Sequence, residues 1–334
     1  MFKIIVNAWF ENYVNSNIKI SQDTIIAAKN SCDWLTSEIK SFSNNLNSFP
    51  DLWGSNDFYL KMGSYARKTQ FKPLNDVDIM IIFSAQGSLS NFNNSIWNDI
   101  DIFPNEKSTQ LTSLIGESGT LSSIRMINLI RSELKKINQY KKSEIKRNMQ
   151  ALRLELSSYD WGFDIVPSFK TVENELGQSF YLIPNGYGKW ERTNPMLDRN
   201  DIDEHQKVIN IDLKRVIRIL KYWNYRSGIY NYIPSYVLET MILDFIDSPM
   251  FNVSEENNYR IFINKFMDYM LTYCRYEVYD RKRIQGVINY INNDDINYLL
   301  KSLNNFKNIS NKAIWLESID SNEMAINLWK DFFN

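Results

Sequence analysis

The stretch 62–80, MGSYARKTQFKPLNDVDIM, carries the strongest structural signal in the sequence, and a Gly-Ser pair stands near its start at Gly63 and Ser64. Eleven residues follow that pair, and then Asp76 and Asp78 open a hydrophobic run that continues as IMIIF. Residues two apart in a strand point to the same face, so the two carboxylates are predicted to project side by side while Val77 points into a core. Neighbouring like charges repel and favour a bound cation, and hard oxygen ligands suit Mg²⁺ held together with substrate phosphates.

The Gly-Ser pair supplies the second half of this motif. Gly63 lets the backbone bend close to a ligand, and Ser64 places a hydroxyl beside exposed N–H groups, which is a phosphate-binding arrangement. The combination with Asp76 and Asp78 therefore predicts a site that holds a nucleoside triphosphate through its phosphates and a metal. Further Gly-Ser or Asp-x-Asp pairs, expected in solvated loops or helix caps, occur at 54–55, 87–88, 99–101 and 201–203.

Bulk properties exclude several classes of protein. The chain has 334 residues with 44% hydrophobic content, enough for a large core in one domain or two lobes. Its net charge of −1 argues against a constitutive nucleic-acid binder, so no strong nucleic-acid binding is expected. Cys32, Cys274 and the single His205 fit no zinc site, and two free thiols fit a reducing cytoplasm, where we expect the protein. No run of about 18 apolar residues predicts a membrane span, and the N-terminus is typical of an amphipathic helix rather than a signal peptide.

Strand and helix patterns divide the chain into two parts. In the first part the patterns predict helices at 22–47 and 121–137, a polar loop at 84–106, and strands at 58–62, 76–83, 151–156, 162–166 and 181–183. In the second part they predict helical segments near 203–227, 235–247, 257–276, 282–293, 294–305 and 321–332. This is an α+β arrangement in which a small mixed sheet lobe, 1–190, accompanies a helical lobe, 191–334. A cleft between two lobes is the natural place for a ligand.

A third carboxylate is predicted at Asp164, in the segment WGFDIVPSF. A lone carboxylate between Phe163 and Ile165 is costly to bury unless it has a partner. In phosphoryl transfer, two metal ions can clamp the attacking and leaving oxygens. This chemistry needs one more acid near the attacking hydroxyl, and Asp164 is the candidate. The alternative is a strand-edge Asp bonded to a backbone N–H or to an Arg.

The second part of the chain offers candidate phosphate and base contacts. In DLKRVIRILKYWN, Lys214, Arg218 and Lys221 share a helix face, which usually indicates solvation but here is predicted to bring Lys221 to a triphosphate. Ser235 is a good N-cap, a helix N-terminus favours phosphate, and Tyr236 offers a ring for stacking on a base. The alternative is a capped core helix with an ordinary Tyr.

These residues in this order resemble the bacterial cGAS/DncV-like nucleotidyltransferases (CD-NTases), a branch of the polymerase-beta-like superfamily that includes the 2′-5′ oligoadenylate synthetases. The matching segments are GSYARKT, DVDIM, DIVP, LKRVIRILKYWN and PSYVLE. The resemblance implies a polymerase-beta-like nucleotidyltransferase lobe with the active site in the cleft beside the helical C-terminal lobe. It implies that Asp76, Asp78 and Asp164 are catalytic acids that bind two Mg²⁺ ions, with Mn²⁺ as a substitute. It implies nucleotide contacts from Gly63, Ser64, Lys221, Ser235 and Tyr236.

The resemblance also implies a reaction and a role. Such enzymes join nucleoside triphosphates, including ATP and GTP, into a cyclic di- or trinucleotide and release pyrophosphate. A separate effector reads the product in bacterial anti-phage (CBASS) signalling, and a monomeric enzyme is compatible with the sequence. The identity of the bases, the 2′-5′ or 3′-5′ linkage and the ring size are left open.

Three alternatives accompany this interpretation. An RNA-tailing or a 2′-5′ oligoadenylate-type nucleotidyltransferase would use the same three acids, but it requires a basic RNA groove and the pI of about 6.0 counts against one. A catalytically idle, antitoxin-like nucleotide-binding module would not need all three acids. The chain also lacks the Cys and His residues for the zinc thumb of metazoan cGAS. Its dense basic run is interpreted as a solvated face and comprises Lys135, Lys136, Lys141, Lys142, Lys146 and Arg147.

Overall fold

The computed structural model describes residues 3–93, 95–253 and 258–334, in which α-helices and β-strands alternate in the first half and helices dominate the second. The helices are α1 (Lys3–Tyr13), α2 (Gln22–Asn45), α3 (Gly63–Arg67), α4 (Thr109–Thr112), α5 (Ser123–Leu134), α6 (Pro195–Gln206), α7 (Leu213–Arg226), α8 (Ser235–Asp247), α9 (Tyr259–Tyr273), α10 (Asn293–Ser318) and α11 (Asn322–Phe333). A π-helical turn, Val14–Ile18, extends α1. The predicted start of one helical segment, residue 257, lies outside the described residues.

The strands are β1 (Tyr59–Lys61), β2 (Asp76–Phe83), β3 (Leu89–Ser90), β4 (Ile102–Phe103), β5 (Glu144–Asn148), β6 (Ala151–Glu155), β7 (Gly162–Lys170), β8 (Tyr181–Pro184) and β9 (Trp190–Thr193). Seven of them form one mixed sheet, in which β1, β2, β7, β6 and β5 are neighbours in that order and β8 joins β7 to β9. The pair β2 and β7 is parallel, and the other neighbours in this sheet are antiparallel. The α+β prediction with a small mixed sheet is confirmed.

Strand β2 follows the predicted alternation. Val77, Ile79 and Ile81 are fully buried, whereas Asp76 and Asp78 are half-buried on the opposite face. Because β2 lies inside the sheet, its second half is buried on both faces, and Met80 and Ile82 pack with Val166 of β7 in a small apolar cluster. The two carboxylates therefore lie at the start of a strand that has neighbours on both sides and a buried second half.

The chain forms two compact units, whose bounds do not coincide with the predicted lobes 1–190 and 191–334. The sheet unit comprises Ser21–Arg67 and Pro73–Met196. The helical unit comprises Leu197–Asn334, but it also includes Met1–Ile20 and Lys68–Lys72. The N-terminal helix joins it because Phe10 lies in the same core as Trp329, with their rings 5.9 Å apart.

The segment predicted as a helix at 282–293 is irregular, and α10 begins only at Asn293. The Asp280 carboxylate accepts hydrogen bonds from the backbone N–H groups of Ile284 and Gln285, and Gly286 has a positive φ of 75°. Such local side-chain bonds compete with helix formation, which explains why the helical prediction was wrong here. Strands β5 and β9 were not predicted, and neither were the short strands β3 and β4, which lie in the segment 84–106 that was predicted as a loop.

Three simpler expectations can be compared with the described residues. Cys32 and Cys274 are buried free thiols. The side chains of the basic run from Lys135 to Arg147 are exposed, as expected for a solvated face. Among the described helices, none combines the length and the apolar character that crossing a membrane requires.

An ion-pair cluster fixes part of the irregular segment within the helical unit. Arg281 binds Asp201 of α6 and both Asp244 and Asp247 at the end of α8, at 2.5–2.9 Å. The imidazole of His205 bridges the same acids, with Nδ1 2.7 Å from the Asp201 carbonyl oxygen and Nε2 3.2 Å from Asp247 Oδ1. The pKa of His205 is raised to about 9, chiefly by its hydrogen bond to Asp201. Desolvation by burial opposes this rise.

This cluster predicts that stability falls as the pH rises through the alkaline range. The imidazolium is retained in the folded protein to about pH 9 but is lost near pH 6.5 when unfolded. A raised pKa stabilises the fold fully below the unfolded value, so the free energy of unfolding is expected to fall by about 3 kcal/mol at most between pH 6.5 and pH 9. Urea titrations over this range measure the slope, and NMR of the chain's single histidine measures the pKa. The variant H205Q should lack this contribution; an equal slope in both proteins would contradict the assignment.

Candidate active site

The register of the sheet brings the three predicted acids together. Parallel pairing of β2 with β7 sets Asp78 directly beside Asp164 and places Asp76 beside Gly162. Each of the three carboxylates offers an oxygen, and these oxygens all lie within 4.8 Å of one another. All three side chains are half-buried on the same face of the sheet. Two separate strands thus converge on one point, as the sequence predicted.

The two oxygens of Asp164 have different environments, and these environments indicate whether the site suits a bound cation. Oδ2 accepts a hydrogen bond from Arg153 Nη1 at 3.2 Å, whereas Oδ1 is buried and has no hydrogen-bond partner among the described residues. Burial raises the pKa of the Asp164 carboxyl, and Arg153 opposes the rise while the negative charge of Asp76 adds to it. An oxygen-only set of clustered carboxylates with an unpartnered buried oxygen fits a divalent hard cation such as Mg²⁺.

Gly63 lies against this cluster. It opens the one-turn helix α3 with a φ of 61°, and the backbone N–H of Met62 just before it donates to the Asp78 carbonyl oxygen at 3.0 Å. A Cβ placed on Gly63 would stand 2.1 Å from Asp78 Oδ2, far inside any normal contact. Ser64 follows in the first turn of α3 and is half-buried. The predicted Gly-Ser turn therefore lies next to the acids, and glycine is required there by both backbone conformation and space.

Lys221, predicted as a triphosphate contact, is buried within the helical unit. Its Nζ donates to Glu239 Oε1 at 2.7 Å, and Thr69 Oγ1 donates to the same oxygen at 3.0 Å. The Lys221 side chain is 5% exposed and that of Glu239 is 4% exposed. Neighbouring Arg218 binds the Lys68 carbonyl oxygen at 2.8 Å. These contacts anchor the segment Lys68–Lys72, and the contact between Lys221 and phosphate stays a prediction.

Ser235 and Tyr236 begin α8. Pro234 occupies the N-cap position without a side-chain cap, so Ser235 is the exposed first residue of the helix rather than its cap. The Tyr236 hydroxyl lies 2.9 Å from Asp198 Oδ1 and 2.8 Å from Asp280 Oδ1. Lys282 Nζ lies 4.3 Å from the centre of the Tyr236 ring. The ring is thus fixed by a polar cluster of its own unit, and its stacking on a base stays a prediction.

Two residues in these arrangements were missed by the sequence interpretation. Arg153 binds the third acid, and the alternating pattern of ALRLE, with Arg between two leucines, is the signal that places it on the polar face of β6. Glu239 binds Lys221, but an acidic residue inside the apolar run YVLETMIL gives no indication of which partner it meets.

Comparisons with known proteins agree with this geometry. A probable cyclic nucleotide synthase of Bacillus cereus (strain VD146) is 34% identical to this chain over 329 residues, which is 98% of this chain and 96% of the relative. No protein-family model matches the chain.

Solved structures share the fold. CdnC of E. coli MS115-1, solved in a complex with HORMA-deltaN, has a TM-score of 0.65 at 13% identity and covers 98% of this chain and 96% of its own. The cyclic AMP-GMP synthase DncV of Vibrio cholerae, solved with nonhydrolyzable GTP, has a TM-score of 0.66 at 11% identity and covers 97% and 94%. With a relative of 34% identity along almost its whole length, the chain belongs to the bacterial cGAS-like nucleotidyltransferases, the CD-NTases.

Proposed function

We propose that this nucleotidyltransferase joins nucleoside triphosphates into a cyclic di- or trinucleotide in a Mg²⁺-dependent reaction that releases pyrophosphate. The observation that carries the proposal is the convergence of Asp76, Asp78 and Asp164 beside the Gly63 turn. The name of the Bacillus cereus relative, a probable cyclic nucleotide synthase, supports the class of product.

The proposed mechanism is an in-line attack by a ribose hydroxyl of one nucleotide on the α-phosphate of another. The new phosphodiester bond forms as the bond to the β-phosphate breaks, and pyrophosphate leaves; a second attack of the same kind closes the ring. Bound Mg²⁺, as two ions or with Mn²⁺ in its place, would be held by Asp76, Asp78 and Asp164 and would neutralise phosphate charge.

The chain's own contribution is mainly to position the reacting groups. The one-turn helix α3 sets Gly63 close against Asp78, and Gly63 and Ser64 are proposed to contact the phosphates beside the acids. Asp164 also accepts the proton of the attacking hydroxyl. Its raised pKa, which burial causes, suits a carboxylate that takes up a proton. Ser235 and Lys221 are proposed as triphosphate contacts and Tyr236 as the base-stacking ring, on the strength of their places in the matching segments.

The proposed role is in anti-phage (CBASS) signalling, in which a separate effector reads the cyclic product. Support comes from the related structures: CdnC was solved with ATP and in a HORMA complex, and a DncV variant was solved with ATP and GTP. ATP and GTP are therefore the first substrates to test.

The decisive experiment incubates the purified protein with Mg²⁺ and the four NTPs, treats the mixture with phosphatase and analyses it by mass spectrometry. A phosphatase-resistant cyclic oligonucleotide is expected because ring closure leaves no terminal phosphate. Parallel reactions with an RNA primer test the tailing alternative: primer extension without a cyclic product would replace the proposal. Absence of any product across varied metals and pH would count against catalysis of this kind.

A further inference from the structure

Arg153, on strand β6, lies beside the acid cluster and binds one of its members. Antiparallel pairing of β6 with β7 sets it directly opposite Asp164. Its side chain is 16% exposed, and it belongs to the same sheet unit as the three acids. A cation this close to a metal-binding cluster has two opposing physical effects: it can hold the carboxylates in place, and it can repel the metal.

The guanidinium connects three separate groups. Nη1 donates to Asp164 Oδ2 at 3.2 Å, and Nη2 donates to the carbonyl oxygen of Asn75 at 3.0 Å. Asn75 directly precedes Asp76, and its carbonyl oxygen also accepts the N–H of Gly162. Arg153 therefore binds the third acid on β7 and the backbone at the start of β2 at the same time.

A second carboxylate, that of Glu155, fixes the orientation of the forked guanidinium group of Arg153. Arg153 Nε donates to Glu155 Oε1 at 2.7 Å, and Nη2 lies 3.3 Å from Glu155 Oε2. These bonds hold the planar guanidinium at both ends. The ammonium group of a lysine, a point charge on a flexible stem, could not reproduce this arrangement. With Oδ2 of Asp164 engaged, the unpartnered Oδ1 is the oxygen that remains for a cation.

We propose that Arg153 is a positioning residue of the nucleotidyltransferase site: its fork, fixed by Glu155, holds Asp164 and the start of β2 in the geometry that binds the divalent metal. This inference rests on the proposed metal dependence. It gives Arg153 no contact with substrate and no part in proton transfer. Groups that orient metal ligands in this way typically change metal affinity by about 10- to 100-fold when removed.

The two effects of Arg153 on the metal have opposite signs, so one experiment separates them. If positioning dominates, R153M weakens Mn²⁺ binding by about 10- to 100-fold, because Asp164 loses its orientation. If charge repulsion dominates, R153M binds Mn²⁺ more tightly, because a nearby positive charge is gone. R153K keeps the charge but loses the fork, so positioning predicts a loss close to that of R153M.

Electron paramagnetic resonance of free Mn²⁺, measured without nucleotide, gives the affinity independently of activity. Lys189, which binds Asp99 and Asp101 in the same sheet unit, supplies the matched control: K189M removes one positive charge and should leave Mn²⁺ affinity unchanged. E155Q keeps Arg153 but weakens its anchor, and it should lower affinity to a lesser degree; if R153M does not fold, E155Q and R153K decide the question.

The outcomes distinguish this inference from the proposed function. Wild-type protein that binds no Mn²⁺ without nucleotide would overturn the role of Arg153, whereas the product assay with the four NTPs would still decide the proposed function. Wild-type binding with equal or tighter binding in R153M would overturn only the role of Arg153, as would full retention of affinity in both R153K and E155Q. Weaker binding in R153M and R153K with normal thermal melting supports it.

Discussion

The double variant D76N/D78N is expected to lose cyclic-product formation by about a thousandfold or more while it keeps its fold. These two carboxylates supply two of the three acids that converge within 4.8 Å. Stabilisation of charge by bound metal is worth several kcal/mol in the transition state, and about 4 kcal/mol corresponds to about a thousandfold in rate. Asn matches Asp in shape but is neutral, so the site keeps its volume and loses its affinity for the cation. Product is measured by chromatography and mass spectrometry, and Mn²⁺ binding by paramagnetic resonance.

Two controls make this result specific. Thermal melting without metal checks that D76N/D78N keeps its fold, since the variant removes the mutual repulsion of the clustered carboxylates together with the other contacts of Asp76 and Asp78. The second Asp-x-Asp pair of the sheet unit, Asp99 and Asp101, forms ion pairs with Lys189 and is not part of the three-acid cluster. The variant D99N/D101N should therefore keep near-normal turnover. Turnover of D76N/D78N close to that of the wild type would show that the metal assignment is wrong.

The acid cluster was predictable because its determinants are local. Alternation in DVDIMIIF is sufficient to place Asp76 and Asp78 on one face, and strand β2 has the predicted bounds. The convergence of Asp164 depends on the parallel register of β2 with β7. No local pattern specifies that register; Asp164 itself was predicted as a lone carboxylate in an apolar strand that two-metal chemistry would need.

What the sequence did not reveal are pairings between distant segments. Lys221 on α7 meets Glu239 on α8 and, through it, Thr69, which lies in the motif segment itself. A basic stripe at helical spacing looks the same whether it is solvated, paired or facing a ligand. The N-terminal helix shows the same limit: its apolar face predicts burial but does not identify Trp329 as the partner of Phe10.

The variant G63A is expected to lose at least about a hundredfold in product formation, more than its loss of stability explains. Two costs add: a φ of 61° disfavours any residue with a Cβ by about 1–2 kcal/mol, and the new Cβ would stand 2.1 Å from Asp78 Oδ2. The clash can be relieved only by moving Asp78 or α3, and a shift of about 1 Å at a reacting centre can cost about a hundredfold in rate. Gly54 provides the matched control in the same unit, because it has a φ of 68° and nothing within 4 Å of its added Cβ. G54A therefore carries the backbone cost alone, so comparing kcat, Mn²⁺ affinity and thermal melting of the two variants isolates the contact with Asp78. If G63A and G54A lost the same stability and both kept wild-type kcat, the close approach of α3 to the acids would have no part in catalysis.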